Sequence, residues 1–182
     1  MMKTVCVFCS SSNEVCDLIK DDGARLGRLL AEQGRALLYG GTSCGLMKIV
    51  ADAHKSSNGY LIGVIPGYMK DCGKLYDGLD EIIEVEDLRP RKQVMLDRSD
   101  FIVALPGGIG TYDEFFDLLS LKMINRHNKP MYLLNTDEFY EPFLQLIKHG
   151  IKNRTIKPDC IELFKVFKTP EELVREIKDY LS

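Results

Sequence analysis

Phe101-Ile102-Val103-Ala104-Leu105 is an unbroken apolar run that passes through Pro106-Gly107-Gly108-Ile109-Gly110 into Thr111-Tyr112-Asp113-Glu114, the start of a helical window ending near Asn125. A short apolar run without alternation suits a strand buried on both faces, as at the centre of a parallel sheet. A strand that turns through glycines directly into a helix is one step of a strand–helix–strand crossover. The same order appears upstream, where Ala36–Tyr39 leads through Gly40-Gly41-Thr42-Ser43-Cys44 to a helix from Gly45.

Outward from these two turns, the alternation continues along the chain. The pattern predicts strands at Thr4–Cys9, Ala36–Tyr39, Tyr60–Ile65, Glu81–Val85, Phe101–Leu105, Pro130–Leu134 and Leu163–Val166. Helices are predicted over Glu14–Gln33, Gly45–Ser57, Asp87–Ser99, Thr111–Asn125, Phe139–Asn153 and Pro170–Leu181. In the first of these, Leu26, Leu29 and Leu30 form an apolar face, with Leu18 expected on the same side. Thr169-Pro170-Glu171-Glu172 reads as a capping box with proline at the first helical position. Right-handed crossovers then give an α/β fold, a Rossmann-like doubly wound parallel sheet in a single domain, residues 1–182. Ligands of such a sheet bind at the carboxyl ends of its strands.

At 182 residues, one domain with one sizeable core is expected. A composition 45% hydrophobic and 28% charged is that of a folded soluble chain rather than a disordered one. Lys+Arg of 24 against Asp+Glu of 27 leaves no basic excess for a nucleic-acid partner. Apolar runs fall far short of the ~20 residues of a membrane span, and the apolar run entered from Met1-Met2-Lys3-Thr4-Val5 is too short for a secretory signal, so a cytoplasmic protein is expected.

Cys6-Val7-Phe8-Cys9 raises a redox or metal reading. No second such pair follows and no histidine stands at finger spacing. Inside a strand, positions three apart point to opposite faces. Buried structural cysteines are therefore expected, and no metal.

The two glycine turns are candidate anion sites, because free N–H groups and the helix dipole meet there. For either turn alone, a tight turn without ligand is the alternative; two turns opening on one sheet edge favour a ligand. Gly40 and Gly41, with the turn from Gly107, would then contact it. Gly40 and Gly45 have P-loop spacing, but Leu46 and Met47 replace the lysine and hydroxyl. After Gly108-Ile109-Gly110, Asp113 stands where a dinucleotide fingerprint needs glycine. A monophosphate remains the best fit. Glu114, one helical turn on, makes more sense as a catalytic carboxylate than as an anion ligand. Arg91-Lys92, after Pro90, would oppose their own helix dipole unless an anionic partner offsets it; a solvated basic pair is the alternative.

Pro106-Gly107-Gly108-Ile109-Gly110-Thr111-Tyr112-Asp113-Glu114 resembles the Pro-Gly-Gly-x-Gly-Thr-x-x-Glu signature of the LOG ("lonely guy") family. These are cytokinin riboside 5′-monophosphate phosphoribohydrolases, long described as lysine decarboxylases. The similarity extends to Val5-Cys6-Val7-Phe8-Cys9 and its following serines, Tyr39-Gly40-Gly41, Gly45-Leu46-Met47, Gly63-Val64-Ile65-Pro66, Arg91-Lys92 and Leu133-Leu134-Asn135. It implies that Arg91 and Glu114 are catalytic. It further implies that Lys92, Gly108, Ile109, Gly110, Thr111, Tyr112 and Asp113 bind a nucleoside 5′-monophosphate, with Ser120 adding a hydroxyl. A homodimer without cofactor is implied as well. The chain departs from the pattern at Ser10, Thr42, Lys48, Ile109 and Leu121, and Gly73 stands where the family has a substrate-contacting glutamate, with Asp71 the nearest acid. These departures bear on the base, not on the reaction.

The implied reaction cleaves the N-glycosidic bond to free base and ribose 5-phosphate. A general purine or pyrimidine nucleotide nucleosidase and a non-catalytic nucleotide or cofactor carrier are the alternatives. A lysine decarboxylase would need a Schiff-base lysine for pyridoxal phosphate with a partner acid, and no such constellation is seen.

Overall fold

The computed structural model describes residues 2–70 and 73–180. Asp71 and Leu181, both named above, lie outside the described residues. The strands are β1 (Thr4–Phe8), β2 (Ala36–Tyr39), β3 (Tyr60–Pro66), β4 (Glu81–Val85), β5 (Phe101–Ala104), β6 (Met131–Leu134) and β7 (Lys165–Phe167). The helices are α1 (Asp17–Glu32), α2 (Gly45–Ser56), α3 (Gly67–Lys70), α4 (Leu88–Arg98), α5 (Ile109–Met123), α6 (Glu141–Lys152) and α7 (Pro170–Asp179). The strands form one parallel sheet in the order β4-β3-β2-β1-β5-β6-β7.

Two cores sandwich this sheet. Val5, Val7 and Cys9 face one core with α1, α2 and α7, while Cys6 and Phe8 face the other with α4 and α5. The two thiols of the Cys-x-x-Cys therefore diverge, as strand alternation requires. Burial pushes both well above the usual thiol range. Not every cysteine is inside: Cys16 is exposed.

Local differences from the sequence expectation have local causes. The first helix starts at Asp17 rather than Glu14, because serine hydroxyls hold the preceding chain in turns: Ser12 N–H donates to Ser10 Oγ at 3.0 Å and Glu14 N–H to Ser12 Oγ at 3.1 Å. Leu18 is exposed and Ile19 takes the buried position. Seven residues before Leu26 returns to almost the same helix face, whereas eight overshoots by about 80°. Leu163 belongs to the turn before β7, which begins at Lys165. Helix α3 and the 3-10 turns Thr136–Glu138 and Pro158–Glu162 carry no periodic signature and were not expected.

At α7 the capping box forms, with Glu172 N–H donating to Thr169 Oγ1 at 3.3 Å; the returning carboxylate accepts from Lys168 N–H rather than from Thr169. No helix among the described residues is long and apolar enough to cross a membrane.

Candidate active site

From β1 the chain builds outward through β2 and β3 to β4, then returns to the other flank of β1 with β5. The crossovers therefore leave in opposite directions at β1 and β5, which opens a crevice at their carboxyl ends. Pairing persists just past the strands, with Leu105 N–H donating to Phe8 O at 2.9 Å and Ser10 N–H to Pro106 O at 3.3 Å. Beyond that point lies a cleft of ≈ 490 Å³. Ser10, Ser11 and Ser12 form one wall, the turn from Gly108 to Thr111 another, and Arg91 and Glu114 face into it with Cys9 at its lining.

Arg91 reaches the cleft from α4, which begins earlier than Pro90 suggests. Asp87 caps it, accepting Leu88 N–H at 2.7 Å, so Pro90 is the third helical residue and Arg91 the fourth. The Asp87 carboxylate at the cap offsets the dipole conflict expected of Arg91-Lys92. Arg91 Nε donates to Val64 O at 2.9 Å, and Nη1 donates to Glu114 Oε1 at 3.5 Å. Only 12% of the Arg91 side chain and 17% of the Glu114 side chain remain exposed. A Cβ on Gly40 would stand 2.5 Å from Arg91 Nη2. Gly40 is thus a gap left for the guanidinium.

Burial pushes the Glu114 carboxyl up to about 7; Arg91 pulls the other way and Asp113 adds to the rise. Such a group exchanges a proton near neutrality, as a general base or acid requires.

Helix α5 opens on Gly108, which brings no side-chain acceptor to the first-turn N–H groups of Ile109, Gly110 and Thr111. Those donors and the positive end of the helix dipole stand at the cleft wall, an arrangement that favours negative charge. The first glycine turn differs. Gly45 N–H donates to Asn13 Oδ1 at 3.0 Å, Ser43 N–H to Lys74 O at 2.7 Å and Met47 N–H to Ser10 O at 3.4 Å. The start of α2 is therefore filled by protein acceptors, and Gly40 and Gly41 lie under the cleft rather than in its wall. Gly45 has φ +53°, and a Cβ there would meet the Ser11–Ser12 backbone at 2.4 Å. That turn is a brace for the serine wall.

Of the other residues singled out from sequence, Gly107 lies behind the turn against Thr111. Tyr112 packs into the core below α5. Lys92 turns aside to Asp113 (3.1 Å) and Asp117 (3.4 Å), joining α4 to α5. Burial alone would lower its ammonium, but the two carboxylates outweigh it and raise it. Ser120 is exposed, about 9 Å along α5 from Glu114 and about 120° round its axis. The sequence reading missed Met69 and Leu88 as lining residues and Asn13 as a cap. The serine wall was quoted only as part of a motif, although the switch-point rule would have found it from the end of β1.

The family model described as "Possible lysine decarboxylase" matches residues 47–177. A probable cytokinin riboside 5′-monophosphate phosphoribohydrolase of Oryza sativa subsp. japonica is 34% identical over 178 residues, 98% of this chain and 73% of that protein. A cytokinin riboside 5′-monophosphate phosphoribohydrolase of Arabidopsis thaliana is 34% identical over 178 residues, 98% of this chain and 78% of that protein. Among solved structures, the molybdenum cofactor carrier protein of Chlamydomonas reinhardtii superposes with a TM-score of 0.76 at 24% identity, covering 100% of this chain and 99% of that one. The molybdenum cofactor binding protein of Rippkaea orientalis gives 0.75 at 22%, with coverage of 100% and 99%. These structures share the fold. Because sequence similarity runs along nearly the whole chain and the signature residues meet in one cleft, this protein belongs to the LOG family, the possible lysine decarboxylases of the matched model.

Proposed function

We propose that this chain hydrolyses the N-glycosidic bond of a nucleoside 5′-monophosphate, releasing free base and ribose 5-phosphate. The observation that carries this reading is the Arg91–Glu114 pair facing the uncapped start of α5 across one cleft. The first-turn N–H groups of α5 take the 5′-phosphate, and Arg91 orients phosphate or ribose oxygens with its planar fork. Breaking the C1′–N bond builds positive charge on the ribose, which a carboxylate beside it stabilises. Glu114 then takes a proton from water as its oxygen bonds to C1′, and that proton leaves with the base. A group titrating near neutrality is suited to both steps.

The relatives' names point to cytokinin riboside 5′-monophosphates, and the same cleft suits AMP; we place both within the substrate class. Met47, Met69 and Leu88 offer apolar wall for a base. Chromatography of base released from AMP and from isopentenyl-AMP, side by side, tests the reading. Tight nucleotide binding with no base release from either would make the protein a carrier.

The active unit is a homodimer in this reading. Ile109, Phe116 and Met123 recur every seven residues along one exposed side of α5, and a second copy would cover them. Light scattering after size exclusion checks it.

A further inference from the structure

A residue outside the cleft holds the anion-binding turn from behind. Between β6 and α6, Asp137 and Glu138 take positive φ of 52° and 57°. Two successive left-handed residues that are not glycine persist only where the surroundings fix the chain. Asn135 does the fixing: its Oδ1 accepts Tyr140 N–H at 2.7 Å, its Nδ2 donates to Glu141 at 3.2 Å, and its own N–H donates to Phe167 O at 2.8 Å. Tyr140 is thereby buried, its ring edge-on to Phe139 and Phe143. Its hydroxyl donates to Leu105 O at 2.6 Å.

Leu105 is where the sheet ends and the Pro-Gly-Gly turn begins. On the β1 side Leu105 N–H donates to Phe8 O and the next donor, Ser10 N–H, goes on to Pro106 O, so among the described residues no backbone N–H reaches the Leu105 carbonyl. The phenol supplies that donor instead. The next carbonyl, Pro106 O, accepts from Ser10, and two residues later the chain reaches the Gly108 cap of α5. We infer that Tyr140 is a positioning residue for substrate phosphate: its hydroxyl fixes the origin of the turn whose N–H groups hold the anion. The inference rests on the proposed phosphate seat at the start of α5.

Tyr140→Phe keeps the ring and its packing and removes only the donor, leaving a buried carbonyl unpaired. Calorimetric titration with ribose 5-phosphate and with adenine separates a positioning role from general loosening. The expected result is an affinity for ribose 5-phosphate about tenfold weaker, adenine affinity unchanged, and faster hydrogen exchange at the amides of residues 109–111. Equal weakening toward both ligands, or unchanged ribose 5-phosphate affinity in a variant that folds, overturns the role of Tyr140 alone. If the unmutated protein binds no ribose 5-phosphate, the phosphate seat falls and the inference falls with it.

Discussion

Arg91 Nη1 lies 3.5 Å from Glu114 Oε1 while Arg91 Nε is tied to the carbonyl of Val64. Two residues 23 positions apart in sequence are thus locked by a third element, β3, that belongs to neither of their helices. Because one edge of the guanidinium is anchored and the carboxylate is largely dehydrated, each group is preorganised before substrate arrives.

Replacing Glu114 with Gln keeps shape and removes charge. Base release should fall about 10²-fold or more, with nucleotide binding close to that of the unmutated protein. Steady-state base release alongside calorimetric nucleotide titration measures both. Near-normal turnover would remove Glu114 from the chemistry.

The Glu114 proton also links stability to pH. Its folded-state value of about 7 lies above the ordinary carboxyl value of 4.5, so the folded protein holds this proton more tightly than the unfolded chain does. The stabilisation is complete below about 4.5 and is lost as pH rises through 7. Relative to Glu114→Gln, the unmutated protein should therefore lose stability between pH 4.5 and 7, by at most about 3 kcal/mol. Urea unfolding of both proteins at pH 5 and pH 8 reads the difference. The rate of base release should rise with pH near 7, since the carboxylate form accepts the water proton.

Gly40→Ala should separate activity from folding. Its methyl would come 2.5 Å from Arg91 Nη2, the far end of a flexible side chain, so the guanidinium moves while the backbone stays. A thermal midpoint near the original with kcat/KM lowered about tenfold or more is expected. Full activity would show that Arg91 tolerates displacement.

Arg91→Lys should likewise be far from conservative. An ammonium has no fork with which to hold Val64 O and a ligand oxygen at once, and a loss of about 10²-fold in kcat/KM is expected. Unchanged kinetics would leave Arg91 only a structural tie between β3 and Glu114.

The phosphate requirement is tested with adenosine, AMP and ATP at equal concentration. AMP should be hydrolysed best, because remote phosphate binding orients the ribose for attack. Adenosine cleaved as fast as AMP would sink the anion seat at α5.

How much of this was legible in the sequence depends on the range of the physics involved. Burial periodicity is local, so Phe101–Leu105 read as a central strand and Leu26 and Leu30 as a buried helix face; the slip at Leu18 was an error of one residue in angle. The Pro106–Glu114 signature is local too, and it put the glycine turn and the carboxylate on one helix start. The sequence alone thus determined the alternating α/β order, the sheet edge at which the candidate site lies and the residues that open α5. Only the tertiary structure decided what each remaining polar group meets. Gly40 and Gly45 looked like a second anion turn, but Asn13 and Lys74 take its N–H groups from elsewhere in the chain. Lys92, next to Arg91, turns to Asp113 instead of the cleft, and Tyr140 reaches back 35 residues to Leu105. A hydrogen-bond donor carries no mark in sequence of the distant acceptor it will find, whereas an apolar face is marked by spacing along its own segment.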